Sequence, residues 1–269
     1  SAEQMLTEVR ATVARADAAA PEWFGRTYTV PCVVEPMNEL VAPTAVVGEY
    51  MPPSAAEGRP GQYNLNTYQP HTRTRYEYEA LSFHEAVPGH HLQFALAQEL
   101  DHLPAFRRYL YVTAFGEGWG LYTERLADEM GLYSGDLFKF GMVSFDAWRA
   151  CRLVVDTGMH FYGWSRQQAI DFMLANCALT LENIANEVDR YIAWPGQALA
   201  YMTGRLEIDR LRQLEAQLRQ LGQEVEVLYG QLHPSNALRS IPGIGAALGP
   251  LVLGVLHEAA HDGDGIGYA

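Results

Sequence analysis

Eight of the fourteen prolines fall between Pro21 and Pro70, and this bias divides the chain more sharply than any other feature. Proline has no backbone donor for a ladder or a helix interior, so this stretch reads as loops and short strands. Its best strand candidate is Gly61–Thr67, where Tyr63, Leu65 and Thr67 alternate onto one face as in a half-exposed strand. Before it, Met5, Val9 and Val13 recur at helical spacing, so the first twenty residues read as an amphipathic helix. From Arg73 to Glu258 the pattern is mainly helical, with breaks at Pro88-Gly89, Pro104, Gly131, Gly163, Pro195-Gly196 and His233-Pro234. Ser165 with Gln168 fits a capping box, and Thr180 fits an N-cap. The expected fold class is mostly α with a minor β element.

Composition narrows the functional classes. With 19 basic against 32 acidic residues the formal charge is −13, which opposes binding to a phosphate backbone or an anionic lipid surface. At 269 residues and 48% hydrophobic content, a sizeable core is affordable. Cys32, Cys151 and Cys177 are widely spaced in apolar or aromatic surroundings and read as reduced thiols. No stretch has the roughly 18 uninterrupted apolar residues of a membrane span. The start, Ser1-Ala2-Glu3-Gln4, lacks a basic-then-apolar signal pattern, which favours a cytoplasmic location. The chain opens without Met and runs straight into helix-like sequence, so a fragment or processed piece is expected and export stays open.

The chemistry concentrates in His84-Glu85-Ala86-Val87-Pro88-Gly89-His90-His91. Hydrolysing an amide at neutral pH needs a polarised carbonyl and an activated water, which zinc with three protein ligands and one open position supplies. In H-E-x-x-H the two histidines sit one helical turn apart and the Glu serves as general base. Here position 88 is proline and the next histidines are at 90 and 91. On a regular helix His90 points about 120° away from His84, and His91 lies about 10 Å along the axis. Either ligand therefore requires a break, and Pro88-Gly89 is where the helix is expected to bulge. Glu117, set between glycines, is preferred as third ligand because a carboxylate in apolar surroundings is costly unless paired or metal-bound. Glu124, beside Arg125, is assigned to the surface.

These residues resemble the bacterial family catalogued as domain of unknown function 885, whose signature is H-E-x-x-P-G-H. Further matching stretches are Glu117-Gly118-Trp119-Gly120, Val155 to His160, Gly163 to Arg166, and Pro195 to Tyr201, so the resemblance covers roughly residues 1 to 210. Members resemble helical gluzincins. Carried over, this implies Zn²⁺ held by His84, His90 and Glu117, Glu85 as general base and a peptide substrate. It favours His90 over His91. It also casts Gly61–Thr67 as an edge strand pairing with substrate, and Asn64, His160 and Tyr201 as substrate contacts. Members are usually about twice this length, so the N-terminal half that would wall the cleft is expected to lie outside this chain.

The C-terminal sixty residues read differently. Leu211, Leu214, Leu218, Leu221, Val225, Leu228 and Leu232 form a heptad seam. It fits an amphipathic helix packed on its own domain, with self-association as the competing expectation. Residues after about 212, the heptad seam together with 238 to 245, resemble the coiled-coil and helix-hairpin-helix region of insertion-sequence transposases of the 110 group, which makes a nucleic-acid-binding tail the alternative function. The acidic balance nearby argues against it. A literal H-E-x-x-H at His257–His261 has no helix bearing a third ligand after it. The organisation expected is a peptidase-like domain over 1–210, incomplete at its N-terminus, then a helical segment over 211–269. A degenerate metal-binding or interaction scaffold is the other reading of the first part.

Overall fold

The computed structural model describes residues 1–54 and 56–232. The H-E-x-x-H at 257–261 and the hairpin-like block at 238–245 lie outside the described residues. Ser1–Ile208 form one compact unit and a second begins at Asp209.

Helix α1 (Ala2–Trp23) starts on a capping box in which the Ser1 side chain accepts from the Gln4 backbone and the Gln4 side chain answers the N-terminus. It buries Met5, Val9, Val13, Ala16 and Ala20 along one stripe. The proline-rich stretch then supplies three short strands, β1 (Cys32–Pro36), β2 (Gly48–Met51) and β3 (Gly61–Leu65). Their order is β1-β3-β2, with β1 parallel and β2 antiparallel to β3.

This arrangement corrects the expectation that Gly61–Thr67 is a half-exposed edge strand. β3 is central, paired on both sides, and Gly61, Tyr63, Asn64 and Leu65 are all buried. The proline distribution accounts for this. Pro36 terminates β1 and Pro52 follows β2, whereas β3 contains no proline and offers its full ladder to two neighbours.

The helical part follows as α2 (Glu77–Glu85), α3 (His90–Gln98), α4 (Ala105–Tyr109), α5 (Thr113–Glu129), α6 (Asp136–His160), α7 (Arg166–Asn176), α8 (Leu181–Ala193) and α9 (Ala200–Leu232). The expected caps form, with Ser165 and Gln168 closing a capping box on α7 and Thr180 accepting from Asn183 N–H on α8. Helix α2 is buried along its whole length and packs against α1, α5 and α6. One core joins α1, the sheet and α2 to α6–α8 through residues such as Val9, Tyr63, Phe83, Phe145, Met173 and Ile184. Each such side chain contributes about 1.5–3 kcal/mol on burial, so α2 is rigidly seated.

In the second unit α9 continues as unbroken helix to Leu232, and Leu211, Leu214, Leu218, Leu221, Val225 and Leu228 are exposed. No described helix is long and apolar enough to cross a membrane. The three cysteines are free, Cys151 buried and the others half-buried.

Candidate metal centre

Helix α2 ends at Glu85, so His84 and Glu85 occupy its last turn. Ala86 leaves helical dihedrals, Val87-Pro88 is a cis peptide, and α3 begins afresh at His90. The break is thus more complete than the expected bulge, giving two helices with His90 opening the second. Gly89 makes the reversal possible, because a Cβ there would lie 1.9 Å from the His84 carbonyl oxygen. The turn brings the His84 and His90 rings edge to face, with centroids 4.7 Å apart.

Glu117 on α5 completes the group. Its Oε2 lies 3.5 Å from Nε2 of His84 and 3.5 Å from Nε2 of His90, and the three ligand atoms lie within 4.8 Å of one another. A separation of 3.5 Å is too long for a good N–H···O bond. It is close to the spacing of about 3.4 Å between ligand atoms around a tetrahedral zinc with metal–nitrogen distances of 2.0–2.1 Å. The donor set and its spacing therefore fit one divalent ion better than they fit direct imidazole–carboxylate pairing.

α5 does more than deliver Glu117. Glu124, assigned from the sequence to the surface, is fully buried, and its Oε1 lies 2.8 Å from His84 Nδ1. Arg149 approaches the same oxygen at 3.4 Å, while Arg125 turns away to Asp146. An imidazole that presents Nε2 to an ion commonly has Nδ1 fixed by a carboxylate in this way. Between the two glutamates Gly120 lies beneath His84, where a Cβ would come within 2.6 Å of the ring. Gly118 plays a similar part against α9, since a Cβ there would lie 2.5 Å from Gly204. Trp119 Nε1 donates to the Pro88 carbonyl at 3.0 Å, tying α5 to the reversal. The spacing Glu117 to Glu124, two turns on one face, was the only sequence signal for the supporting carboxylate.

His91 is occupied elsewhere. Its Nδ1 is 2.8 Å from the Tyr50 hydroxyl and its Nε2 is 2.9 Å from the Val30 carbonyl. Burial pushes its imidazole down to about 4, so it is a neutral core histidine. His90 Nδ1 is buried without a hydrogen-bond partner. At His84 burial disfavours charge, yet the Glu117 and Glu124 carboxylates outweigh it and lift the ring to about 10. Burial works against the charge on Glu117 too, but the two imidazoles hold its carboxyl well below the ordinary range. Glu85, buried beside them, has its carboxyl raised by desolvation.

A cavity of about 610 Å³ opens on His84, Glu85, His90 and Glu117 and is also lined by Glu49, Tyr50, Arg149, Arg152 and Tyr201. Of the expected substrate contacts, Tyr201 is there, its ring 6.1 Å from that of His84. The other two are not among the lining residues. Asn64 is buried in the central strand, bonded to Gln62 and to Glu49. His160 shares a hydrogen bond with the Tyr191 carbonyl oxygen at 3.0 Å, linking α6 to α8. Both are expected to face substrate; Asn64 is one hydrogen bond from the cavity through Glu49, and His160 is exposed at the end of α6.

Residues 1–227 match the bacterial family of proteins of unknown function DUF885. The match extends past Arg212 into the heptad seam. Two solved structures, each described as a "putative lipoprotein", resemble the fold. That of Colwellia psychrerythraea is 35% identical with a TM-score of 0.76, over 79% of this chain and 36% of that one. That of Shewanella oneidensis, also described as of unknown function, is 20% identical with a TM-score of 0.63, over 81% and 41% of the two chains. At that identity it speaks for the fold alone. The chain spans well under half the length of either. No curated protein matches it.

Proposed function

The chain belongs to the bacterial DUF885 family of proteins of unknown function, and from that premise we propose that it carries the working centre of a zinc-dependent hydrolase of peptide bonds. The observation that carries the reading is one carboxylate oxygen at 3.5 Å from two imidazole Nε2 atoms, with Glu85 adjoining them in the same cavity. His84, His90 and Glu117 are the ligands. Zinc held by such a set polarises a carbonyl and makes a water acidic enough to attack it.

Glu85 acts as general base, taking the proton of the attacking water and passing it to the leaving amine. Its burial supports that role, because desolvation moves the carboxyl toward the pH at which it can both accept and release a proton. The Tyr201 hydroxyl is approached at 3.3 Å by Arg190 Nη2 and at 3.3 Å by Gln197 Nε2. Accepting from both leaves its own proton for a carbonyl oxygen. Peptide pairing is assigned to β2 rather than to β3, since Gly48, Glu49 and Tyr50 line the cavity from an outer strand of the sheet.

Metal analysis of the purified chain beside His84→Ala, Glu117→Ala and His261→Ala tests the ligand set. About one zinc per chain is expected in the wild type and in His261→Ala, and little in the other two. Zinc lost only from His261→Ala, or a wild type that takes up no zinc on dialysis, refutes it. Glu85→Gln should keep its zinc and lose peptide hydrolysis. Stoichiometric zinc in a wild type without turnover reduces the reading to a metal-holding scaffold.

A further inference from the structure

The hydrolase reading uses Arg190 only through Tyr201 and leaves unused the two arginines that α6 contributes to the wall of the same cavity. Arg149 and Arg152 sit one turn apart on α6, and Arg190 joins them from α8. Their carboxylate partners are too few. Arg152 Nη2 is 2.7 Å from Glu187 Oε2 and Arg190 Nη1 is 3.5 Å from Glu187 Oε1, so one carboxylate serves two guanidiniums. Arg149 shares Glu124 with His84. The side chains of Arg149 and Arg152 are 4% and 1% exposed, yet Nε and Nη1 of Arg149 and Nη1 of Arg152 have no hydrogen-bond partner. Buried donors of this kind are seldom left unmet, least of all on charged groups.

The distance from the wall to the metal centre sets the size of what fits. Glu124 Oε1 is 2.8 Å from His84 Nδ1 and 3.4 Å from Arg149 Nη2, which puts that nitrogen within about 6 Å of the imidazole. The Tyr201 ring spans the same gap, with Arg152 Cζ 4.2 Å and Arg149 Cζ 5.7 Å from its centroid. Successive Cα atoms are 3.8 Å apart. The metal would lie beyond Nε2, on the far side of the His84 ring, so the arginine wall is within about 10 Å of it, a gap that a single residue ending in a carboxylate can span.

We infer, resting on the hydrolase reading above, that Arg149 and Arg152 form a subsite for a carboxylate, and that the carboxylate is the free C-terminus of a peptide. The cut then falls at the last peptide bond. Water adds to the carbonyl carbon, the C–N bond breaks, Glu85 carries the proton to the departing amine, and one C-terminal amino acid is released. Planar guanidinium donors suit a carboxylate in two-point contact.

Binding tests this without relying on turnover. Trp148 and Trp194 line the cavity, so their fluorescence reports occupancy. N-acetylated tripeptides would be titrated as the free acid, as the C-terminal amide, and as an amide with Glu as the last residue, with zinc present and with a chelator. The free acid is expected to bind at least tenfold more tightly than the plain amide. Arg149→Lys and Arg152→Lys keep the charge beside Glu124 and Glu187 but remove the planar donors, and each should cut that preference to threefold or less. Preference for the free acid that survives chelation supports the subsite even where the zinc reading fails. Three results overturn the inference: equal binding of acid and plain amide, a preference unchanged in both lysine variants, or no binding of any peptide. The Glu-ended amide binding as tightly as the free acid shows an acidic side chain to be the ligand and overturns the C-terminal assignment.

Discussion

Glu124→Gln keeps the shape of a buried side chain and removes its charge, so it isolates what that carboxylate does for His84 and for Arg149. Losing a carboxylate that orients a ligating imidazole weakens metal binding by about 10- to 100-fold, or about 1.4–2.7 kcal/mol. The second effect is on the fold. Glu124 is 0% and Arg149 4% exposed as side chains, so solvent screens neither, and removing one member of a buried pair costs about 3–5 kcal/mol. The 3.4 Å separation is loose, and Arg149 already carries two unmet nitrogens, which places the cost at the lower end, about 3 kcal/mol. At about 2–4 °C per kcal/mol for a domain of this size, Tm should fall by about 6–12 °C. Competition against a chromophoric chelator reads the affinity, and circular dichroism on heating reads Tm. Adding Arg149→Met removes the stranded charge, so the double variant should regain most of the stability and none of the zinc affinity. A Glu124→Gln protein that binds zinc and melts like the wild type refutes the orienting role. A double variant that regains both refutes the separation of the two effects.

The two adjacent histidines should part company under substitution. His90→Ala should abolish stoichiometric zinc, whereas His91→Ala should keep it while losing about 2–3 kcal/mol in denaturant unfolding, because Tyr50 and the Val30 carbonyl lose their partner; the reverse pattern would make His91 the ligand. Gly120→Ala puts a methyl against the His84 ring and should weaken zinc binding at least tenfold at small cost in Tm, while Gly89→Ala meets two carbonyl oxygens of rigid backbone and should cost 3 kcal/mol or more, or about the upper end of overpacking. Burial raises the Glu187 carboxyl, but Arg152 and Arg190 more than offset this and hold it below its ordinary value. Its folded value being depressed, the stability it contributes is present above about pH 4.5 and is lost as pH falls through the folded value, so unfolding free energy measured below pH 4.5 should fall more steeply in the wild type than in Glu187→Gln, and parallel slopes would exclude it as an acid-sensitive group.

What the sequence determined by itself was local. The first helix, the capping box at Ser165, the cap at Thr180 and the break at Pro88-Gly89 depend on contacts a few residues long, and each formed where its residues stood. The trio His84, His90 and Glu117 was legible because an unusual spacing demanded a chain reversal, and the residues able to make one were in it. Tertiary structure decided everything that depended on which surfaces meet. Tyr63 and Leu65 alternate as they would in an edge strand, and only pairing with both β1 and β2 made β3 central and left those two strands on the outside. Glu124 looked like a surface carboxylate because Arg125 follows it, but adjacent residues on a helix point about 100° apart, and packing against α2 and α6 sent one to His84 and the other to Asp146. His91 has a ligand's chemistry and a core residue's neighbours, and Arg149 and Arg152 became cavity residues only when α6 was laid beside α2 and α8. Spacing along a chain limits which atoms can converge; the exclusion of water among packed elements settles which of them do, because a buried polar group must find a partner there.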